Sequence, residues 1–123
     1  MVSHRAASLG SLEAYKKHIA DYHDRYGAVC WHLIYQADVR FRSEHLERLR
    51  RRLSDAHQTA QAAGGNTPYD AARPFHYAWS QALHGQQEVA WWKKEVEDPC
   101  MLYLTKTSRL SNLLGGDAPV SYT

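Results

Sequence analysis

Apolar residues recur along this chain with the three-and-four spacing of helix faces. From Val29 to Ala63 there is no Pro and no Gly, and Leu, Arg, Glu, Gln and Ala dominate, all good helix formers. Tyr35, Val39, Leu46, Leu49, Leu53, Ala56 and Ala60 fall on one face of that segment. Gly27 stands before it and Gly64-Gly65 behind it, where glycine ends a helix by supplying conformations other residues avoid. The segment 29–63 therefore predicts one long central helix, roughly 50 Å from end to end at the usual rise per residue.

Shorter elements surround it. Leu12, Tyr15, Ile19, Tyr22 and Tyr26 form a second stripe, with Ser11 as the expected N-cap, Glu13 in the first turn and Gly27 as the stop. The short joint at Gly27 makes this helix a packed neighbour of the long one, as a tight hairpin or across a bend. Gly64 to Arg73 reads as the main loop, with Thr67, Pro68 and Asp70 suited to capping a single turn. Pro74 fits the first position of a third helix, whose stripe runs from Phe75 through Ala78, Trp79, Ala82, Leu83, Val89 and Trp92 to Val96. Gly85 interrupts that stripe and implies a kink or a close helix contact. Asp98-Pro99 predicts a stop and a restart, followed by a last helix weakened near Thr105, Thr107 and Ser108 and closed by Gly115-Gly116.

The expected fold is all-α: an irregular bundle with one long central helix and three or so shorter ones. Residues 1–10 are expected to be a flexible lead-in, 11–115 a single helical domain and 116–123 a flexible tail. A chain of 123 residues is one domain long and buries enough surface to fold without a disulfide or metal. Four Trp, eight Tyr and two Phe supply large buried areas for a small core.

Charge changes the picture only locally. The net charge is +2, too small to argue for nucleic acid by itself. Between Asp38 and Leu53, however, Arg40, Arg42, Arg48, Arg50, Arg51 and Arg52 oppose only Asp38, Glu44 and Glu47. A basic helical face of this kind is a candidate contact for the phosphates of RNA or DNA. Against that stand three acid-first pairs four residues apart, Asp38–Arg42, Glu44–Arg48 and Glu47–Arg51, which are the pattern of an ordinary solvated face.

No reaction chemistry emerges from the motifs. The eight His include no pair three or four residues apart that would share a helix face as metal ligands, and they read as partly exposed surface residues. Cys30 and Cys100 lie in no CxxC pattern and read as a reduced, intracellular pair of buried residues. GxSxG, HExxH, P-loop and GxGxxG patterns are all lacking. The expectation is a non-enzymatic protein with no cofactor and no metal. No apolar run has the length of a membrane span, and the first residues lack a secretory signal's apolar stretch.

The remaining candidates are surfaces. So long a helix is difficult for the rest of the chain to cover, so Leu49, Leu53 and Ala56 are expected to seek a partner helix or a second copy. Trp91 and Trp92 point about 100° apart on a helix. Trp92 falls on the stripe, which leaves Trp91 at its margin as a candidate partner contact.

Three stretches, WHLIYQADVRFRSEHLERLRR (Trp31–Arg51), ARPFHYAWSQAL (Ala72–Leu83) and WWKKEVEDPCMLYLTKTSRLSNLLGGDAP (Trp91–Pro119), resemble helical segments in retroelement-like polyproteins of unicellular algae. In that family such a segment lies ahead of a Cys/His-rich, zinc-knuckle-like region, which this chain lacks. The resemblance implies a capsid-like or assembly role and carries over no functional residue. The expected function is thus a helical interaction or self-assembly module, with RNA or DNA binding through Arg40–Arg52 as the alternative.

Overall fold

Two long helical rods, each interrupted by a single wide turn, organise the protein. The computed structural model describes residues 5–113; the expected tail and the Gly115-Gly116 stop lie outside them. The described residues contain no strand and form an all-α bundle. In chain order they comprise α1 (Leu9–Tyr26), a 3-10 turn (Ala28–Cys30), α2 (Trp31–Arg40), a π turn (Phe41–His45) and α3 (Leu46–Ala62). After the loop come α4 (His76–Gln81), α5 (Gln86–Trp92), a second π turn (Lys93–Glu97) and α6 (Asp98–Leu113).

The first helix starts earlier than its stripe suggests. Ser8, not Ser11, is the N-cap, its hydroxyl accepting from the Ser11 N–H at 3.2 Å. Ahead of it, Arg5 donates to the Arg42 carbonyl at 2.8 Å and the Trp79 indole N–H donates to the Arg5 carbonyl at 2.9 Å. Gly27, at φ 79°, ends the helix as expected. At the far end of the spine Gly64 adopts φ 86°. The Gly65 N–H returns to Ala60 O at 2.7 Å and the Gly64 N–H to Gln61 O at 3.0 Å. These are the two bonds of a Schellman stop.

Within the spine the single stripe expected from the sequence is wrong in its first half. Cys30, Ile34, Ala37 and Phe41 are buried there, while Tyr35 is 58% and Val39 39% exposed. Beyond the π turn the expected face holds, with Leu46 and Leu49 buried and Leu53 packed on the core. The two halves differ in phase by one residue. At the π turn the Leu46 N–H reaches back five residues to Phe41 O, so one extra residue is inserted without turning the following face away.

The second rod departs from the sequence reading twice. The interruption at Gly85 is a full break rather than a kink: the glycine separates α4 from α5 as the N-cap of the latter. Its backbone is extended in a way any residue adopts (φ −60°, ψ 147°), so glycine is required there by space. A Cβ at Gly85 would overlap the Glu88 carboxylate. Asp98-Pro99, in turn, neither stops nor restarts a helix. The rod runs through the second π turn, where the Asp98 N–H bonds to Lys93 O. Pro99 has no N–H to give and its ring would press on a carbonyl four residues back; the wide turn just before it relieves both problems. Thr105 and Thr107 stay helical, each hydroxyl donating to the carbonyl four residues earlier at 2.8 Å.

An aromatic cluster joins the rods. Phe41 stacks on Trp92 with centroids 4.8 Å apart, and Tyr15 meets Trp79 edge-on at 5.1 Å. The Trp92 indole N–H donates to Ala82 O at 3.0 Å, satisfying the one polar atom of a side chain that is 2% exposed. His18 packs edge-on against both Tyr22 and Trp92, and burial lowers its pKa.

Candidate functional site

The arginines of the spine do not gather into a free basic face. Arg40 crosses to the second π turn and pairs with Glu95 at 3.2 Å. Arg42 makes the expected bidentate pair with Asp38, at 2.9 and 3.0 Å. Arg50 and Arg51 both hold Glu47, at 2.6 and 3.5 Å, and Arg5 joins them at 3.8 Å. Arg50 also lies over the Phe75 ring. The predicted Glu44–Arg48 pair is replaced by a bond from Arg48 to His45 Nδ1 at 3.3 Å.

Arg52 turns inward, and with it appears a group that the sequence did not reveal. Glu88 is 1% exposed. Its Oε2 accepts from Arg52 Nη2 at 2.7 Å and lies 2.8 Å from His45 Nε2. Arg52 Nη1 also donates to Gln87 Oε1 at 2.5 Å. A guanidinium only donates, so His45 Nδ1 accepts from Arg48 and the ring proton sits on Nε2, aimed at Glu88. Burial alone would raise the Glu88 pKa, but the bonds from His45 and Arg52 outweigh it and hold the carboxyl below its ordinary value. His45 is 5% exposed, buried through the phase shift at the π turn rather than lying on the helix surface. Both of its nitrogens are occupied, and the cluster clamps α3 to α5.

Asp38 holds a second network. It accepts from the Tyr15 hydroxyl at 2.5 Å as well as from Arg42. Burial pushes its pKa up, and the Arg42 and Tyr15 bonds pull it below normal. The Tyr15 hydroxyl is raised, first by burial and then by Asp38. This pair lines a groove of about 380 Å³ together with Leu12 and Ile19 of α1 and Trp79 of α4.

The candidate partner contacts are placed differently from expectation. Leu49 is 1% exposed and cannot offer a surface; Leu53 is half-buried against the core. Ala56 is exposed, but alone. Trp91 is half-buried, edge-on to Phe41 at 5.3 Å and tilted against His45 at 5.4 Å. The uncovered apolar surface lies elsewhere. Trp31 (59%), Tyr35 (58%) and Val39 (39%) follow one another at four-residue steps along α2. Beyond the contact of Tyr103 with His32, α6 runs out of the bundle. Every residue from Thr105 to Leu110 is exposed, and Leu110 and Leu113 are bare at 57% and 82%.

Among the described residues no three His, Cys, Asp or Glu side chains come together as a metal site, and no helix is long and apolar enough to cross a membrane. No family model, curated protein or solved structure matches the chain.

Proposed function

We propose that this chain is a non-enzymatic helical module that self-associates by seating the α6 end of one copy in the α1–α2 groove of the next. The observations that carry the reading are the apolar groove lined by Leu12, Ile19 and Trp79 and the uncovered row Trp31–Tyr35–Val39 on α2, the helix that also gives the groove Asp38. Contiguous uncovered apolar side chains of this kind mark interaction surfaces. The chain also supplies a fitting occupant, a helix whose Leu110 and Leu113 have no cover. Groove and helix end are different surfaces, so the contact is heterologous and propagates into rings or open arrays. That behaviour suits the capsid-like role the sequence resemblance implies. Nucleic-acid binding through Arg40–Arg52 has less support, because each of these arginines is already engaged by a carboxylate or by His45.

Sedimentation velocity over a wide concentration range tests the proposal. The wild-type chain is expected to form species larger than dimers. Tyr35→Asp and Leu110→Asp should each be monomeric, while their mixture should stop at a dimer, since one intact groove and one intact helix end remain. A wild-type chain that stays monomeric at every concentration would overturn the reading.

A further inference from the structure

Among the described residues, Nε2 of His18 is buried without a hydrogen-bond partner. The ring sits between Tyr22 of its own helix and Trp92 of α5, with centroids 4.5 and 4.6 Å away and planes inclined at 66° and 72°. His18 thus fills the joint between α1 and the second rod. The charged and titratable groups around it come from three places. α1 itself brings Asp21, Tyr22 and Arg25, the second π turn brings Glu97, and the turn ahead of α5 brings His84. Glu97 is already engaged, its Oε2 accepting from the Tyr22 hydroxyl at 2.9 Å. Arg25 lies over the Tyr22 ring at 5.5 Å.

A neutral imidazole can carry its proton on Nδ1 and leave Nε2 bare, whereas an imidazolium must present an N–H at both positions. In this cage the second N–H finds no acceptor, and the charge is placed among apolar rings. Burial accordingly lowers the His18 pKa; it outweighs Glu97 and Asp21, which favour the charged form, while Arg25 and His84 act with it.

We propose that His18 is an acid-operated latch: neutral, it fills the Tyr22–Trp92 cage and holds α1 to the second rod; protonated, it leaves the cage and releases α1. The ordinary histidine value is 6.5, so the latch is closed above it. As pH falls from 6.5 toward the folded value, the released state takes up a proton that the packed state refuses. Its population then grows by about tenfold per pH unit, and levels off below the folded value. α1 also supplies Leu12, Tyr15 and Ile19 to the groove, so release dismantles the proposed docking surface. That consequence rests on the self-association reading; the latch itself does not.

The test is hydrogen exchange followed peptide by peptide on the full chain, dilute enough to sediment as a monomer, with an NMR titration of the histidine ring protons beside it. After correction for the intrinsic rate, opening of α1 around His18 should rise by about tenfold between pH 6.5 and 5.5 relative to α3. His18→Phe keeps a ring in the cage and removes the charge, and should abolish that rise. Should the variant fold poorly, the wild-type titration decides, with a His18 midpoint expected below 6.5. Three results would overturn the proposal. One is a midpoint at or above 6.5, the outcome if the rings stabilise the cation through their π faces. The others are α1 opening that rises no more than that of α3, and the same pH dependence in wild type and a folded His18→Phe. A chain that never self-associates leaves this test unchanged.

Discussion

The π turns at Phe41–His45 and Lys93–Glu97 flank the same aromatic core, with Phe41 from one stacked on Trp92 just ahead of the other. Both insert one residue into a long helix, and both keep the buried faces on either side in line. Their causes differ. The second lies immediately before Pro99, which cannot sit in an unbroken α-helix without losing a bond and crowding a carbonyl. The first has no proline near it. There the extra residue is absorbed because Cys30, Ile34, Ala37 and Phe41 on one side, and Leu46 and Leu49 on the other, must all face the same core. One wide turn is imposed by local chemistry and the other by packing.

Deletions separate the two cases. Removing exposed Gln36 from α2 would turn everything before it by about 100° relative to the core. Cys30 and Ile34 would leave the interior, and cooperative urea unfolding should be lost. A deletion of exposed Lys94 from the second π turn would restore regular helix geometry while keeping Trp92, Val96 and Cys100 aligned, but it would place Pro99 in a true α-helix interior. It should cost about 3 kcal/mol by urea denaturation, and Pro99→Ala in the same chain should recover most of that loss. Full stability of the Lys94 deletion with Pro99 in place would mean that the proline is not the cause.

The clamp anchored at the first π turn has a pH signature. Glu88 has a folded pKa below its unfolded one, so its contribution is present above the unfolded value near 4.5 and is lost as pH falls through the folded value. Asp38 titrates in the same direction. Glu88→Gln should lower stability at pH 7 by about 1–3 kcal/mol, since a hydrogen bond to charge is exchanged for a neutral one. It should also flatten the acid limb of a stability–pH curve, leaving the part due to Asp38. An acid limb identical to wild type would show that Glu88 is not ionised in the fold. The smallest effect is expected from deleting exposed Ser43. With one residue removed between Phe41 and Leu46 the buried faces still align, so thermal melting should fall only by the loss of local contacts, about 1–2 kcal/mol.

Much of the site was hidden by the same phase shift. A reading with one helical period placed Tyr35 and Val39 inside and left His45 on the surface. Once the extra residue is inserted, Tyr35 and Val39 become the uncovered row and His45 becomes a buried partner of Glu88. A faint trace of the shift was present in the spacing of Phe41 and Leu46, five residues apart where a regular stripe needs three or four. Glu88 carried a comparable trace, three residues after a glycine whose absent Cβ leaves room for its carboxylate.

What the sequence determined by itself is what hydrogen bonds between near neighbours decide: an all-α chain, a first helix ended at Gly27, a spine closed by Gly64-Gly65, the Asp38–Arg42 pair and the inward side of α1. Those features depend on residues within a turn or two of one another, so composition and spacing report them. The tertiary structure decided where the spine takes its extra residue, which arginines find carboxylates across the bundle, and that Glu88 is buried against His45 and Arg52. Each of those depends on residues far apart in the chain meeting across packed helices, and the free energy that selects them resides in the core they share.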